Sequence, residues 1–329
     1  MKPPIILFTS LSSKTYLYRS IEKQAFNFHP DAKVIGADSN PECGTKNRIS
    51  SFVQTPLTKE WRTDDLISFC TKHKITHVIP SRDGELKFWS KNQNKLKEYG
   101  IHVMISDEFA LESCLDKFKF FCSFPKESQV KPIPTFENLE SLESKKLVVK
   151  ERRGSASKNL GLGLNRDEAK NFAKKLKEPI YQPLIMGSEL SAETWIDRFG
   201  KTHGILMRWR SVVIEGESHE THVFQDPELA EKIAITFENF TGLHGHCLAQ
   251  ILMTQNHEPR IIEINPRLGG ATPLALHSGL DSILWFLKES AGMDNEIPPS
   301  PPLKQKTALY KKKGVVRIID PFTSRQSNA

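Results

Sequence analysis

Short apolar runs alternate with amphipathic stretches over the N-terminal third of the chain. We predict strands at 4–8, 34–38, 77–80 and 101–105, and helices at 15–27, 64–73 and 84–98. Strands that alternate with helices at this spacing indicate βαβ units and a parallel sheet. Ligands of such sheets bind at the carboxyl ends of the strands, which here carry Thr9-Ser10, Asp38 and Ser81-Arg82-Asp83. The first turn lacks G-x-G-x-x-G, which disfavours a dinucleotide as the ligand.

The pattern changes after residue 108, where longer strands appear. We predict a helix over 108–124 that contains Lys117, a strand at 147–150, a helix near 166–177 and a strand at 179–185. Long strands at 188–197 and 203–214 precede a helix at 227–241, a hairpin at 246–265 and a helix from about 273 to 290. A Pro-Pro-Ser-Pro-Pro linker at 298–302 leads to a strand at 314–319. We divide the chain into three units: 1–112, 113–186 and 187–329.

Composition places the chain among globular proteins. Its 329 residues are 38% hydrophobic and 26% charged, which is typical of about two domains. No apolar run approaches the ~18 residues that cross a bilayer, and we find no signal-peptide pattern. We therefore expect a soluble, cytoplasmic protein with no membrane partner. Five cysteines without a C-x-x-C spacing predict free thiols rather than disulfides or a zinc site.

The net charge of +7 and the pI near 9.0 permit nucleic-acid binding without establishing it. One basic cluster, residues 145–158, is interleaved with glycines and serines, which suits a phosphate ligand. The other cluster, residues 304–317, has Tyr310 as its one aromatic residue, whereas nucleic-acid binders interleave several aromatics with the basic residues. We therefore interpret the second cluster as a solvated face and do not expect a nucleic-acid partner.

The hairpin at 246–265 holds the most informative motif. Side chains alternate between the two faces of a strand, so Glu263 and Asn265 share a face. If the turn centres between Asn256 and His257, Gln250 lies opposite Glu263, at about 5 Å between Cβ atoms. Hard cations such as Mg²⁺ take oxygen ligands of this kind, and Arg267 just beyond can stabilise a phosphoryl group in transfer. The alternative is an ordinary polar hairpin face.

Two further segments have nucleotide chemistry. Lys150 ends an apolar strand and precedes a loop of small residues, which offers phosphates a point charge and backbone N–H donors. Between Gln182 and Ile185, backbone groups on an apolar wall can meet an adenine ring, and Glu189 can accept from ribose hydroxyls. The alternatives are a flexible basic turn in the first case and a strand with a glycine bend in the second.

The order and spacing of these motifs resemble the ATP-grasp superfamily, and in detail its carbamoyl-phosphate synthase large-subunit branch. The resemblance covers nearly the whole chain. It rests on Asp116-Lys117, Lys150 with its loop, the segment 182–189, and Gln250 followed by Glu263-x-Asn265-Pro-Arg267. The implied fold is mixed α/β and α+β, in which an N-terminal parallel-sheet domain is followed by a two-lobed ATP-grasp fold.

The resemblance also implies roles for individual residues. ATP lies between the two lobes, with its phosphates on Lys117 and Lys150. The loop 154–161, with Ser155 and Ser157, closes over them. Gln182 and the Ile185 backbone meet adenine, and Glu189 binds ribose. Glu263 bridges two Mg²⁺ ions, for which Mn²⁺ is the substitute, with Gln250 on one and Asn265 on the other. Arg267 steadies the γ-phosphoryl group.

The chain departs from the family pattern at several positions. Position 182 is Gln where many relatives have an acid, and Gln250 is neutral where other branches have Asp or Glu. The chain has one ATP-grasp unit and no glutaminase segment, so carbamoyl-phosphate synthesis by this chain alone is not expected.

The acceptor site is a separate hypothesis. Arg208 and Arg210 alternate onto one face of a strand that leads to Glu217, and arginine forks suit carboxylates and phosphates. We hypothesise that Arg210, Glu217 and Arg267 border the acceptor and that Arg210 takes part in catalysis. The alternative is surface charge on an edge strand. We interpret His244 and His246 as structural.

The function expected from these features is that of an ATP- and Mg²⁺-dependent ligase. It would activate a small carboxylate as an acyl phosphate for attack by an amine. The alternatives are a nucleotide-binding regulatory protein without turnover, and an ATP-dependent carboxylating or phosphoryl-transferring relative. The sequence leaves a homodimer open.

Overall fold

The computed structural model describes residues 2–154, 159–312 and 314–320. Its β-strands are β1 (Ile5–Phe8), β2 (Lys33–Asp38), β3 (Phe52–Gln54), β4 (His77–Ile79), β5 (His102–Val103), β6 (Lys131–Pro132), β7 (Leu147–Glu151), β8 (Gly161–Leu164), β9 (Pro179–Pro183), β10 (Gly187–Ile196), β11 (Thr202–Ile214), β12 (Glu217–Phe224), β13 (Gly245–Thr254), β14 (Pro259–Asn265), β15 (Ala308–Lys312) and β16 (Val315–Ile319). Its α-helices are α1 (Thr15–Phe28), α2 (Thr63–Lys72), α3 (Asp83–Glu98), α4 (Glu108–Cys114), α5 (Lys117–Cys122), α6 (Arg166–Ala173), α7 (Pro227–Glu238), α8 (Thr272–His277) and α9 (Ser282–Ser290).

The first five strands form the N-terminal sheet, in the order β3-β2-β1-β4-β5 within the described residues, and every pairing in it is parallel. Alternation along β1 supplies both faces with apolar side chains. Ile6 and Phe8 pack with α1, α8 and α9, whereas Leu7 packs with α2, α3 and α4. The parallel sheet expected from the sequence is therefore present, with helices on both faces.

The second layer is the large sheet, ordered β16-β15-β12-β11-β10-β13-β14-β6 among the residues that the structure describes. One of its faces is apolar and packs under α7, where Leu190, Ala249 and Ile251 meet Ile233 and Phe237. The opposite face is polar and borders a cleft. The small sheet, β8-β7-β9, forms the other side of this cleft with α6 packed on it. This arrangement, two lobes around a cleft behind a parallel sheet, is the architecture that the sequence predicts.

Several predicted elements differ from the structure. The helix expected over 108–124 is two helices, because the Asp116 side chain accepts from the backbone N–H groups of Phe118 and Lys119 and starts α5 anew. The helix expected from 273 to 290 is also two, because Gly279 has a φ of +98° between α8 and α9. Strands β3, β6, β8, β12 and β15 were not predicted, and α6 and α7 end at Ala173 and Glu238, earlier than expected.

The basic cluster at 304–317 is not simply a solvated face. Its residues build the β15–β16 hairpin at the border of the large sheet, where β15 pairs with β12. Lys304 contacts Asp320 at 2.9 Å, and Lys311 pairs with Glu217. In the part of the chain that the structure describes, no helix is long and apolar enough to cross a membrane.

A buried network of charges underlies the polar face of the large sheet. Glu193 on β10 accepts from Arg208 Nε at 2.8 Å and from Thr272 Oγ1 at 2.6 Å, and it lies 3.1 Å from His246 Nε2. Arg208, only 2% exposed, also donates to Ser218 at 3.2 Å. Burial alone would raise the pKa of Glu193, but Arg208 and His246 hold it at about 2.

Replacement of Glu193 by glutamine should be strongly destabilising. It leaves the Arg208 guanidinium buried without its counter-charge, which typically costs about 3–5 kcal/mol. Urea unfolding at pH 7 should show this loss, and Glu217→Gln, at a half-exposed carboxylate, is the matched control. Because the pKa of Glu193 is lowered from 4.5, its stabilisation is complete above that pH and disappears as the pH falls towards about 2. The wild-type protein and Glu193→Gln should therefore converge in stability at acidic pH. Equal stability of the two at pH 7 would contradict the role of the network.

Candidate active site

The β13–β14 hairpin brings Gln250 opposite Glu263, as the sequence predicts. A bulge follows between Gln250 and Ile251, and Asn265 remains on the same face as Glu263. The Asn265 amide donates to Glu263 Oε1 at 2.9 Å, which leaves Glu263 Oε2 without that donor. Three oxygen-bearing side chains therefore converge on the polar face of the large sheet.

Lys117 and Lys150 reach the same cleft from two different elements. Lys117 is the first residue of α5, and its ammonium donates to the Gly154 carbonyl at 2.8 Å. Burial and the charge of Lys117 lower the pKa of Lys150 to about 8, while Glu263 and Glu189 oppose the shift. Burial also lowers the pKa of Lys117, again opposed by Glu263. Lys117 and Glu263 are thus close enough to Lys150 to affect its ionisation.

Asp116 fixes the position of Lys117 relative to the following loop. Its carboxylate accepts from Arg152 Nε at 2.7 and 2.8 Å and from Arg153 Nη2 at 2.7 Å. Burial opposes ionisation of Asp116, but these arginines hold its pKa below the usual range. One carboxylate therefore caps α5 and anchors the end of β7. Ser155 and Ser157 lie outside the described residues.

The segment that joins the small sheet to the large one carries the other predicted residues. The Gln182 amide is buried and donates to Thr135 Oγ1 at 2.7 Å, so its oxygen is the atom left to accept from a ligand. Ile185 lies between β9 and β10 and is half-buried. At Gly187, a Cβ atom would lie 2.1 Å from the Met253 carbonyl oxygen, so this close approach of β10 to β13 requires glycine.

Arg208 and Arg210 share a face, but neither stands on an edge strand, because β11 lies between β10 and β12. The alternative of surface charge is therefore wrong for both. Arg208 belongs to the buried network and is closed to a ligand. Arg210 Nε lies 3.2 Å from Glu189 Oε2, without hydrogen-bond geometry, and its Nη2 donates to the Gly216 carbonyl at 2.9 Å.

The remaining two members of the predicted acceptor border lie beside one loop. The carboxyl carbon of Glu217 lies 3.5 Å from the Cβ position of Gly270, in the loop that follows Arg267.

His244 and His246 both contact side chains within the fold. His244 lies beside Glu289, and His246 lies beside Glu193 and Ser282. Arg210, by contrast, is held by Glu189 and the Gly216 carbonyl.

Arg267 is held by a residue that the sequence did not connect with it. Asp83, the first residue of α3, accepts from Arg267 Nε through one oxygen and from Nη2 at 2.9 Å through the other. Burial opposes the charged form of Arg267, but Asp83 raises its pKa overall. The two residues are 184 positions apart, and no local pattern links them. The position of Asp83 at the carboxyl end of a predicted strand was the one available signal.

The donor set on the hairpin fits Mg²⁺ that shares its coordination with phosphates. Glu263 supplies one carboxylate, and Gln250 and Asn265 supply neutral amide oxygens on the same face. Among the described residues, no cluster of three or more His, Cys, Asp or Glu side chains could hold a metal by itself. Mg²⁺ commonly uses one or two carboxylates and completes its shell with substrate phosphates and water.

Two family models match successive parts of the chain. Residues 114–271 match the model of the ATP-grasp domain. Residues 6–104 match the model of the PylC-like N-terminal domain. No curated protein sequence matches the chain.

Solved structures of similar fold span nearly the whole chain at low sequence identity. The biotin carboxylase domain of Hydrogenobacter thermophilus 2-oxoglutarate carboxylase, with MgADP and bicarbonate, has a TM-score of 0.72 at 12% identity and covers 93% of this chain and 74% of its own. Staphylococcus aureus N5-carboxyaminoimidazole synthetase with ADP gives 0.71 at 13%, covering 93% and 82%. Bacillus licheniformis L-amino acid ligase gives 0.69 at 16%, covering 94% and 80%. At these identities the likeness shows a shared fold.

Lys150 should titrate near pH 8 in the folded protein. Competitive acetylation across a pH series, read by peptide mass spectrometry, measures the midpoint at this side chain, and in urea it should return towards the ordinary 10.5. Lys117→Met should move the midpoint up, because a like charge is removed. Glu263→Gln should move it down, because an opposing charge is lost. A folded-state midpoint near 10.5 would show that the cleft does not bury this ammonium group.

Proposed function

The chain carries an ATP-grasp domain behind a PylC-like N-terminal domain, and on that premise we propose that it is an ATP- and Mg²⁺-dependent carboxylate–amine ligase. The observation that carries the proposal is the meeting of two half-buried lysines with Glu263 in the cleft between the small and large sheets. Two ammonium groups with depressed pKa values repel each other until an anion arrives. A nucleoside triphosphate is an anion of the charge and length that such a cleft accommodates.

The nucleotide is proposed to lie along the cleft in one orientation. Lys117 and Lys150 hold its phosphates, and the loop that begins at Gly154, including Ser155 and Ser157, covers them. The Gln182 oxygen accepts from the adenine amino group beside the Ile185 backbone. Glu189 accepts from the ribose and is held towards the cleft by Arg210, which gives Arg210 a positioning role in place of the predicted catalytic one.

Glu263, Gln250 and Asn265 are the proposed metal ligands. A bound Mg²⁺ would supply stabilisation of the charge that develops on the phosphoryl group. Asn265 donates to Glu263 and thereby orients the carboxylate before the ion arrives, as partners of metal ligands commonly do.

The division into units 1–112, 113–186 and 187–329 is part of the same proposal, as is the resemblance to the carbamoyl-phosphate synthase branch.

The proposed chemistry has two steps. A carboxylate oxygen of the substrate attacks the γ-phosphorus, and the bond between that phosphorus and the oxygen of the β-phosphate breaks. ADP is the leaving group, and the substrate becomes an acyl phosphate. An amine then attacks the acyl carbon, loses a proton, and displaces inorganic phosphate to form an amide. Arg267 is charged at any working pH, and it would neutralise the phosphoryl oxygens during transfer.

ADP release in the presence of Mg²⁺-ATP is the direct test of this proposal. The panel consists of amino acids and small carboxylates, singly and in pairs with amines. Release that requires one carboxylate and increases with one amine supports the ligase. Two of the structures of similar fold are named for carboxylation, so bicarbonate belongs in the panel, and release that depends on it would favour a carboxylating enzyme. ATP binding without turnover on any combination would favour a regulatory protein.

Glu263→Gln should abolish turnover while the fold survives. The substitution removes the one carboxylate of the proposed metal site, and loss of metal-ion stabilisation worth several kcal/mol corresponds to a fall in rate of about 100-fold or more. Steady-state ADP release measures this effect. The control is Glu258→Gln, at the tip of the same hairpin, where the carboxylate pairs with Arg260. Turnover of Glu263→Gln at the wild-type rate would remove the metal assignment.

Asp83→Asn should lower kcat and leave the KM for ATP nearly unchanged. Asp83 positions Arg267 without contacting the nucleotide in the proposed orientation, and misplacement of such a group by about 1 Å can cost up to about 100-fold in rate. Asp83→Glu should recover part of the loss, because it keeps the charge. Asp64→Asn, in the first turn of α2, is the matched control. A parallel rise in KM with unchanged kcat would argue against a positioning role.

A further inference from the structure

A cavity of about 350 Å³ opens at the carboxyl edge of the N-terminal sheet. Its walls come from the β1–α1 loop, the ends of β2 and β3, and the starts of α2 and α3. Pockets for small molecules typically have volumes of about 300–1,000 Å³. The cavity is therefore large enough for a compact metabolite, and it lies outside the cleft between the small and large sheets.

The loop after β1 is held in a fixed and uncommon conformation. Ser10 and Ser12 have φ values of +50° and +44°, which residues other than glycine rarely adopt. Ser12 N–H donates to Asp38 Oδ2 at 2.8 Å, and Ser81 Oγ donates to the Thr9 carbonyl at 2.6 Å. The ends of β2 and β4 thus over-determine the loop, which is the condition under which such strain persists, commonly at binding sites.

The two carboxylates of the cavity are already occupied by donors of the protein itself. Glu85, only 2% exposed, accepts from Thr9 Oγ1, Trp89 Nε1 and the backbone N–H groups of Ser81 and Arg82. Asp38 accepts from the backbone of Ser12 through one oxygen and from that of Asn40 through the other at 2.9 Å. Both carboxylates organise loops, so neither is the group that an incoming ligand would meet first.

The two cations of the cavity lack such partners. Over residues 2–154, 159–312 and 314–320, no carboxylate oxygen lies within 4.0 Å of Lys14 or Arg82, although many other cations of the chain form ion pairs. Lys14 donates to the Ser10 carbonyl, and Arg82 Nε donates to Ser10 Oγ at 3.3 Å. Burial lowers the pKa of Lys14, Glu85 and Asp38 oppose this, and the charges of Arg267 and Arg82 add to it. Two cations on one wall that no carboxylate of the described residues contacts directly are available to an anionic ligand.

The opposite wall is apolar. Leu57 is 42% exposed there, and Trp61 meets Phe69 edge-on with ring centroids 5.2 Å apart. Aromatic and aliphatic surface left open to solvent inside a cavity gains free energy when an apolar ligand covers it. A ligand with both an anionic group and an apolar body would therefore match the whole cavity.

We infer that this cavity binds the acceptor substrate of the ligase, a small carboxylate with an apolar or aromatic body. Its anionic group lies on Lys14 and Arg82, and its body lies against Leu57, Trp61 and Phe69. The inference rests on the proposed function. Arg82 is next in sequence to Asp83, which binds Arg267, and Lys14 lies within the electrostatic influence of Arg267. The bound acceptor would thus stand beside the residue proposed to steady the phosphoryl group.

Calorimetric titration with matched probes tests the inference. The probes are 3-phenylpropanoate and phenyl phosphate, with acetate lacking the ring and phenethylamine lacking the anion. At least one anionic aromatic probe should bind more tightly than acetate, and phenethylamine should not bind. 3-Phenylpropanoate should bind more tightly than phenyl phosphate, and the reverse order would exclude a carboxylate as the head group. Lys14→Gln and Arg82→Gln should each weaken that binding about tenfold or more, and Trp61→Ala should reduce the advantage over acetate. Lys97→Gln, at an exposed lysine of α3, is the control.

The same samples are titrated with ADP and Mg²⁺ to separate this inference from the proposed function. If ADP binds and no anionic aromatic probe does, or if a probe binds equally to Lys14→Gln and Arg82→Gln, the cavity is not the acceptor site, and the ligase proposal is unaffected. If a probe binds through Lys14 and Arg82 but ADP does not bind, the cavity is an anion site and the proposed function fails.

Discussion

Alternation of side chains across the large sheet is the constraint on which the rest of the structure depends. One face must be apolar to pack under α7, so Glu193, Arg208, Gln250 and Glu263 project from the other. Arg208 and Glu193 are buried on that face, and an incompletely satisfied buried ion pair would be destabilising. Hydroxyls of Ser218, Thr221 and Thr272 complete it. A slip of one residue would turn the whole set towards α7, so the network and the apolar face together fix the register that places Gln250 opposite Glu263.

The cleft above this face is electrostatically unfavourable in the absence of a ligand. Lys117 lies on α5 and Lys150 on β7. The Asp116 carboxylate joins these two elements by accepting from Arg152 and Arg153. The lowered pKa values of the two lysines mean that each charged form costs free energy. Burial exceeds the attraction of Glu263 at both lysines, and at Lys150 the charge of Lys117 adds to it. An anion between them removes that cost. The fold therefore stores, in two protonated lysines, part of the interaction that a phosphate would make.

The sequence predicts what depends on local periodicity. The parallel sheet, the β13–β14 register and the β7 and β9 strands follow from alternation and from short apolar runs, and each has its predicted place. The sequence did not predict the break at Asp116, because a capping aspartate inside an apolar helical pattern looks like an ordinary polar position. Strand β12 was missed because its run from Glu217 to Phe224 is mostly polar, and it becomes a strand through pairing with β11 and β15. Prediction from the sequence has the same limit at Arg208. Alternation identifies the face on which Arg208 lies, but it does not show that Arg208 pairs with the Glu193 carboxylate and is therefore closed to a ligand.

The contacts that join the two halves of the molecule are non-local, and they decide how the site can work. Arg267 ends the motif on β14, yet its guanidinium is oriented by Asp83 from the N-terminal sheet. Asp83 begins α3, and Arg82 beside it lines the cavity at the carboxyl edge of that sheet. Any displacement of α3 towards a ligand in the cavity therefore moves the carboxylate that holds Arg267. Because an ion pair of this kind is short-ranged and directional, recognition on the N-terminal sheet and charge placement on the hairpin cannot vary independently.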